Sequence, residues 1–176
     1  MELSVLGKTD PTERMMMIAH EELLRQIHYD PDTGVFTRLV KTSAFARLGA
    51  TKGNPRGVGY RALSVGGKEH YLHRLAWFYV HGEWPRHVID HINGDKTDNR
   101  ISNLRDVPQS QNLQNIHRAK SYSSTGLLGA TRWKDKFRAD IRVDGRKRHL
   151  GVFETAEAAH QAYLAAKRLY HPASTL

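Results

Sequence analysis

The segment from Val88 to Asn115 (VIDHINGDKTDNRISNLRDVPQSQNLQN) constrains the fold of this chain more than any other. Val88–Asp90 predicts a short strand, and Leu104–Val107 predicts the strand that returns beside it. The polar stretch between them contains Gly-Asp and Asp-Asn pairs, which favour a turn and a loop. Pro108 suits the first turn of a helix because its fixed φ matches helical backbone. The segment therefore predicts a strand, a loop, a second strand and a helix.

Four polar side chains in this segment can carry chemistry: Asp90, His91, Asn103 and Asn112. A carboxylate and an amide oxygen together suit a hard divalent cation such as Mg²⁺ or Mn²⁺, which prefers oxygen ligands and keeps several waters. An imidazole beside the cation can remove a proton from water near neutral pH. An Asp-His pair alone is also common in a surface turn. Its combination with both asparagines indicates a nuclease site.

These residues resemble the HNH endonucleases, in particular the phage and intron-homing branch that lacks cysteines. The resemblance covers roughly residues 56 to 116. It implies a ββα-metal fold that holds one cation, with Asp90 and Asn112 as metal ligands and His91 as general base. Asn103 would hold the His91 segment in place. The last letter of the motif is Asn rather than His, as that branch commonly shows, and the implied products carry 5′-phosphate and 3′-hydroxyl ends.

Composition limits the partners of the chain. Its 176 residues include no cysteine, which excludes disulfides and any cysteine-ligated zinc. The net charge of +9 favours a polyanionic partner. No apolar run reaches 18 residues, so we expect no transmembrane helix and no membrane partner. The first residues also lack the basic-then-apolar order of a signal peptide, which favours the cytoplasm of a bacterial or phage-infected cell.

Before the candidate site, four elements can be predicted. Glu13–His28 indicates a short helix, and Lys41–Gly59 has no clear period and is interpreted as a loop. Tyr60–Val65 and His70–Leu72 flank Gly66-Gly67, which is typical of a hairpin. Arg74–His81 then predicts a helix that Gly82 ends.

After residue 126 the pattern changes to three short strands and a helix. Gly129–Trp133, Phe137–Val143 and Arg146–Leu150 predict the strands, with Asp144-Gly145 as a hairpin turn. Thr155 can cap a helix that runs to about Tyr170. The apolar face of this helix is predicted to contain Ala159, Ala162, Tyr163, Ala166, Leu169 and Tyr170. The simplest assembly is a three-stranded antiparallel sheet with one packed helix, and the whole chain is predicted to be α+β.

This part resembles the DNA-binding domain of plant ethylene-response factors, which also occurs fused to phage HNH nucleases. The matching residues are Gly129, the run 136–142, Leu150–Phe153 and Thr155–Ala159. In that family the sheet lies in the major groove of DNA. Where the plant pattern has an arginine this chain has Thr131, and where it has tryptophans this chain has Phe137 and His149. The resemblance therefore implies DNA binding without implying the same target sequence.

Strand alternation independently favours a DNA-binding sheet face. Phe137, Ala139, Ile141 and Val143 share one face and are predicted to pack on the helix. The opposite face is cationic, and a solvated charged face is the alternative interpretation. The predicted DNA contacts, including two cations before the sheet, are Arg118, Lys120, Thr131, Trp133, Lys136, Arg138, Arg142, Lys147 and His149.

Four regions follow from these patterns: residues 1–28 as an N-terminal extension and helix, 29–116 as the HNH nuclease domain, 117–126 as a linker, and 127–176 as the DNA-binding domain. The predicted function is a metal-dependent, homing-like endonuclease that acts on double-stranded DNA. One ββα-metal site cuts one strand, so a monomer would nick and a homodimer could cut both strands. Two alternatives stay open: a DNA-binding regulator that has lost catalysis, and a structure-selective nuclease for phage DNA packaging or recombination.

Overall fold

The computed structural model describes residues 18–44, 46–57 and 59–176. They form helices and several small antiparallel sheets, which agrees with the predicted α+β class. The chain divides into two compact units. The first contains residues up to Trp84 together with Asn99–Ile101, and the second contains Pro85–Asp98 together with Ser102–Leu176. None of the described helices has the length and hydrophobicity needed to cross a bilayer.

The described part of the first unit contains helix α1 (His20–Gln26) followed by a three-stranded sheet. Its strands are β1 (Ile27–Tyr29), β2 (Phe36–Arg38) and β3 (Gly49–Thr51), paired antiparallel in that order. The buried side chains of this helix and sheet include Leu23, Ile27, Tyr29 and Phe36, each at most 1% exposed. These apolar contacts form the core around which the short strands assemble.

Two predictions for this unit were wrong. The predicted helix ends at Gln26 instead of His28, because residues 27–29 alternate buried, exposed, buried and pair as a strand. The start of that helix prediction, residues 13–17, lies outside the described residues. The predicted loop at 41–59 contains β3 and also β4 (Asn54–Arg56). Both strands are three residues long with little or no burial, so they carry no apolar alternation that sequence reasoning could detect.

The second sheet of this unit has the order β4-β5-β6, with β5 at Tyr60–Val65 and β6 at Lys68–Tyr71. The predicted Gly66-Gly67 hairpin joins them, and both glycines have positive φ. Helix α2 (Leu72–His81) follows and begins two residues earlier than predicted. It ends as predicted at Gly82, whose φ of 71° is in the left-handed region that favours glycine.

The second unit begins with a pair of strands and a helix in the predicted order. β7 (Val88–His91) pairs antiparallel with β8 (Leu104–Val107), and the turn of 3₁₀ helix Ile101–Asn103 precedes β8. Helix α3 (Gln109–Gln114) starts after Pro108 and packs against β7. The strand that carries the Asp-His pair thus contacts the helix that carries Asn112.

The same unit continues with the predicted three-stranded antiparallel sheet. It has the order β11-β10-β9, formed by β9 (Ala130–Trp133), β10 (Lys136–Val143) and β11 (Arg146–Phe153). Helix α4 (Ala156–Tyr170) packs on all three strands. The hydroxyl of Thr155 accepts a hydrogen bond from the Ala158 N–H at 3.1 Å, which confirms the predicted cap.

A β-bulge at Leu150 sets which side chains of β11 share a face. Ala139 pairs with Gly151 and Asp140 pairs with His149, so Leu150 is the extra residue and packs against the core. His149 therefore lies on the same face as Asp140, as predicted. The strand continues to Phe153, three residues beyond its predicted end, because the bulge lets pairing resume.

The predicted apolar face of α4 was wrong at one position. Ala159 and Ala166 are buried, but Leu169 is 71% exposed. Lys167 is buried instead, at 1% exposure, and its Nζ donates to the backbone oxygen of Ile116. The chain that follows α3 covers the Lys167 side of the helix, a long-range contact that helical periodicity cannot reveal.

Candidate active site

Asp90 is held by the strand opposite it. Asp90 and Arg105 are register partners across β7 and β8. Arg105 donates to Asp90 Oδ2 from Nε at 2.8 Å and from Nη2 at 2.7 Å. The Asp90 side chain is 7% exposed, so this ion pair is largely shielded from solvent. A charge-assisted pair of this kind fixes the orientation of the carboxylate.

Asn115 also contacts this carboxylate and was not predicted as a site residue. It ends α3 and is 5% exposed. Its Nδ2 donates to Asp90 Oδ2 at 3.0 Å and lies 3.1 Å and 3.2 Å from the backbone oxygens of His91 and Ile92. The available signal was its spacing, since Asn115 lies one helical turn after Asn112 and shares its face of α3.

His91 lies at the end of β7 and is 4% exposed. Asn103 holds in place the backbone that follows His91. The Asn103 backbone oxygen accepts from the Ile92 N–H at 2.9 Å, and its side-chain Oδ1 accepts from the Asn93 N–H at 3.0 Å. Its Nδ2 donates to the Asp98 backbone oxygen at 2.8 Å. These contacts join Asn103 to the start of the loop after His91, at Ile92 and Asn93, and to a later point in it, at Asp98.

The acidic residues of that loop have structural partners. Asp95 accepts from the Thr97 N–H at 2.9 Å and from its hydroxyl at 2.8 Å, and these bonds lower the pKa of Asp95. Asp98 accepts from Asn93 Nδ2 at 2.8 Å. Both contacts are typical of turns, which agrees with the turn and loop predicted for this stretch.

A carboxylate and an amide oxygen, as in Asp90 and Asn112, are ligands that suit a cation that keeps most of its water. The contacts on Asp90 described above all end on Oδ2. Asn112 is half-buried on α3, and α3 packs against β7. Within residues 18–44, 46–57 and 59–176, no group of three or more His, Cys, Asp or Glu could hold a metal. One carboxylate and one amide oxygen suit Mg²⁺ or Mn²⁺ better than zinc, which takes three or four protein ligands.

The face of the β9–β11 sheet opposite α4, the outer sheet face, contains Asp140. Four of the predicted DNA contacts lie around it: Trp133, Arg138, Lys147 and His149. The Arg138 guanidinium lies 4.5 Å from the centre of the Trp133 ring. Asp140 lies 2.8 Å from Arg138 Nε, 3.0 Å from Lys147 Nζ and 3.1 Å from His149 Nδ1. With Val152, these residues line a shallow depression.

Asp140 is ionised at neutral pH. Burial favours a higher pKa for Asp140, but hydrogen bonds from Lys147 and His149 and the charge of Arg138 together hold it below its usual value. The Asp140 carboxylate thus anchors three cationic or titratable side chains at fixed positions.

The other predicted DNA contacts are dispersed. Lys136 pairs with Glu154 at 2.6 Å, and Arg142 donates to the Gly145 backbone oxygen at 3.0 Å. The Thr131 hydroxyl donates to the Arg138 backbone oxygen at 3.2 Å. Arg118 is exposed, and Lys120 Nζ lies 5.4 Å from the centre of the Tyr122 ring.

Residues 70–114 match the family model described as HNH endonuclease. The matched residues run from β6 to the end of α3 and include Asp90, His91, Asn103 and Asn112. This match supports an HNH nuclease, a hydrolase whose substrate is DNA. No curated protein and no solved structure matches the chain. The comparisons do not support the finer resemblances, to the phage and homing branch or to the plant DNA-binding domain.

Proposed function

We propose that this chain is a metal-dependent endonuclease that hydrolyses phosphodiester bonds in double-stranded DNA. One observation carries the proposal. Asp90 and His91 end β7 beside a loop that Asn103 secures, inside the segment that matches the HNH endonuclease model. A carboxylate and an imidazole held next to each other on one strand are the groups that metal-assisted hydrolysis needs.

In this proposal His91, in its neutral form, takes a proton from the attacking water. The water oxygen bonds to phosphorus while the bond to the 3′ oxygen breaks. The leaving 3′ oxygen takes a proton from solvent, which leaves 5′-phosphate and 3′-hydroxyl ends. Asp90 and Asn112 would hold one divalent cation, which would supply stabilisation of the negative charge that develops in the reaction. Asn103 keeps the His91 segment in place through its bonds to the following loop.

The outer sheet face is the proposed DNA-binding surface. Its cations are separated from the packed helix by the sheet, and Arg138 is held against Trp133 and Asp140. Arginine presents a planar fork that suits phosphate oxygens and the edge of guanine. Arg118 and Lys120 are proposed to contact the DNA backbone beside it.

A second candidate function has one observation in its favour. Arg105 neutralises Asp90 in the candidate site. A cation must compete with that charge, so a DNA-binding regulator without cleavage is the alternative. Cleavage assays separate the two functions directly.

The deciding experiment is a supercoiled-plasmid assay with purified protein in Mg²⁺, in Mn²⁺ and in excess EDTA. We expect nicked plasmid with either cation and none with EDTA. His91→Ala should lower the rate by about 10²–10⁴-fold while DNA affinity is kept, because the imidazole acts on water rather than on DNA binding. A well-folded protein that binds DNA without nicking it in either cation would establish the regulator instead.

The same assay addresses two finer points. Linear product without a nicked intermediate would indicate a dimer, which size-exclusion chromatography can check. Faster cutting of branched than of linear duplex would favour a structure-selective nuclease over a homing-like one.

A further inference from the structure

The chain that follows α4, residues 171–175, lies against the strands and helix of the candidate active site. The backbone oxygen of Ala173 accepts from Arg105 Nη2 at 2.6 Å, and its N–H donates to Gln114 Oε1 at 3.3 Å. The Thr175 hydroxyl lies 2.8 Å from the backbone oxygen of Ile92. This segment therefore meets β8, α3 and the chain after β7.

Asn115 stands between this segment and Asp90, and its two amide atoms have opposite surroundings. Its Nδ2 faces acceptors, namely the Asp90 carboxylate and two backbone oxygens. Its Oδ1 accepts from the Thr175 N–H at 3.2 Å and lies 3.0 Å from the Thr175 hydroxyl and 2.9 Å from His117 Nε2. A backbone N–H can only donate, and the Thr175 hydroxyl lies on the same oxygen, so the two groups of Thr175 together turn the amide with Nδ2 toward Asp90.

Arg105 is oriented in the same way. Its Nη2 is shared between Asp90 Oδ2 and the Ala173 oxygen. The two acceptors fix the plane of the Arg105 guanidinium. The guanidinium in turn fixes the Asp90 carboxylate to which it donates. Both side chains that hold Asp90 Oδ2 thus take their orientation from Ala173 and Thr175.

The segment is itself anchored to the sheet and its helix. His171 is buried, and its Nε2 lies 2.8 Å from the backbone oxygen of Arg142 on β10. Four residues earlier, the buried Lys167 on α4 donates to the Ile116 oxygen just after α3. The segment therefore leaves the sheet at a fixed point and reaches the candidate site with a fixed geometry.

We propose that Arg105 and Asn115 are positioning residues for Asp90, and that Ala173 and Thr175 complete the nuclease site by orienting both of them. Together they occupy Asp90 Oδ2 and leave Oδ1 for the cation. The inference rests on the proposed metal-dependent function. It adds that the C-terminal sheet is part of the catalytic framework as well as a surface for DNA.

The test uses four substitutions in the full chain, two at Thr175, one at Ser174 and one at Asn115. Thr175→Val removes the hydroxyl and keeps the shape of the side chain, whereas Thr175→Ser keeps the hydroxyl. Ser174→Ala is the matched control, because the Ser174 hydroxyl accepts only from the neighbouring Leu176 N–H among its described contacts. Mn²⁺ affinity is measured by EPR in the absence of DNA, and kcat and KM are measured on supercoiled plasmid.

We expect Thr175→Val to weaken Mn²⁺ binding by about 3- to 10-fold, the range for losing one hydrogen bond. Its kcat should fall with little change in KM for plasmid, since Thr175 is proposed to orient the site rather than bind DNA. Ser174→Ala should behave as the unsubstituted protein. Thr175→Ser, which keeps the hydroxyl, should bind Mn²⁺ more tightly than Thr175→Val. Asn115→Ala, which removes every side-chain contact of the amide, should weaken Mn²⁺ binding further, with thermal unfolding confirming that it is folded.

Two failures can be told apart. If the unsubstituted protein binds Mn²⁺ and nicks plasmid, and Thr175→Val and folded Asn115→Ala do so equally well, the positioning inference is overturned and the proposed function stands. If the unsubstituted protein is folded but binds no Mn²⁺, the metal-dependent function falls and the inference falls with it.

Discussion

At the scale of single residues, the proposed site depends on how the two oxygens of Asp90 are divided among three partners. Arg105 and Asn115 occupy Oδ2, and the proposed cation uses Oδ1. The ion pair lowers the charge that a cation meets, but it also prevents the carboxylate from rotating. Preorganisation of this kind favours catalysis because the geometry need not be assembled during the reaction.

Substitution of the two proposed ligands should separate their roles. Asp90→Asn keeps the shape of the side chain but loses its charge, so we expect no detectable nicking in Mg²⁺ or Mn²⁺. Asn112→Asp keeps an oxygen ligand and should retain part of the activity. The measurements are nicking rates in each cation.

Thermal unfolding of the same variants provides the control. Asp90→Asn weakens the contact with the partly buried Arg105, so its unfolding free energy should fall by about 1–3 kcal/mol without loss of the fold. Normal nicking by folded Asp90→Asn would show that this carboxylate is not a ligand.

The residues of the site differ in how far sequence could predict them. Asp90, His91 and Asn103 occur within fourteen positions, between apolar residues that define two strands, so local pattern was sufficient to select them. Asn115 and Thr175 were missed as site residues. They lie 60 positions apart, and their contact exists only after α4 has packed.

At the scale of elements, the helices and strands with the strongest local sequence patterns were the ones predicted correctly. The C-terminal strands and helix combine period-two alternation, an Asp-Gly turn and a Thr cap, and all were found. β3 and β4 have only three residues each and gain their pairing from neighbouring backbone, so they were missed. The role of the Lys167 side of α4 was also hidden, because it depends on which distant segment covers that face.

The junction between β9 and α4 offers a test of element packing. Gly129 precedes β9 with φ 77°, and a Cβ there would lie 1.9 Å from Cγ of Tyr163 on α4. Gly129→Ala should therefore reduce the free energy of unfolding by about 1–3 kcal/mol from overpacking, with backbone strain in addition. Chemical denaturation of the full chain measures the change.

Gly126→Ala is the matched control for that experiment. Gly126 also has a positive φ, 67°, but a Cβ there would meet nothing within 4 Å. The difference between the two alanine variants isolates the clash with Tyr163. Adding Tyr163→Ala to Gly129→Ala should reduce the cost of the glycine substitution in a double-mutant cycle. Equal destabilisation by both glycine variants would mean that α4 moves aside without cost.

At the scale of the whole molecule, specific binding to DNA depends on where the positive charges lie as well as on how many there are. The net charge of +9 attracts any polyanion, whichever surface carries it. The proposal for the outer sheet face is more specific, since it requires that particular cations neutralise phosphates. Counterion release distinguishes the two cases, because each phosphate contact adds about one unit to the slope of log K against log salt.

Arg142 and Arg168 provide a matched pair for this measurement. Both are exposed arginines of the second unit, but Arg142 lies on β10 in register with Lys147 of the outer face, whereas Arg168 lies on α4. Each Arg→Gln substitution removes one charge, so a general effect of net charge would change both salt slopes alike. We expect Arg142→Gln to lower the slope by about one unit on a random-sequence duplex and Arg168→Gln to leave it unchanged. If the two variants behave alike, the outer sheet face does not contact the phosphates of the DNA. The basic residues between Lys41 and Arg61 then become the candidate DNA-binding surface.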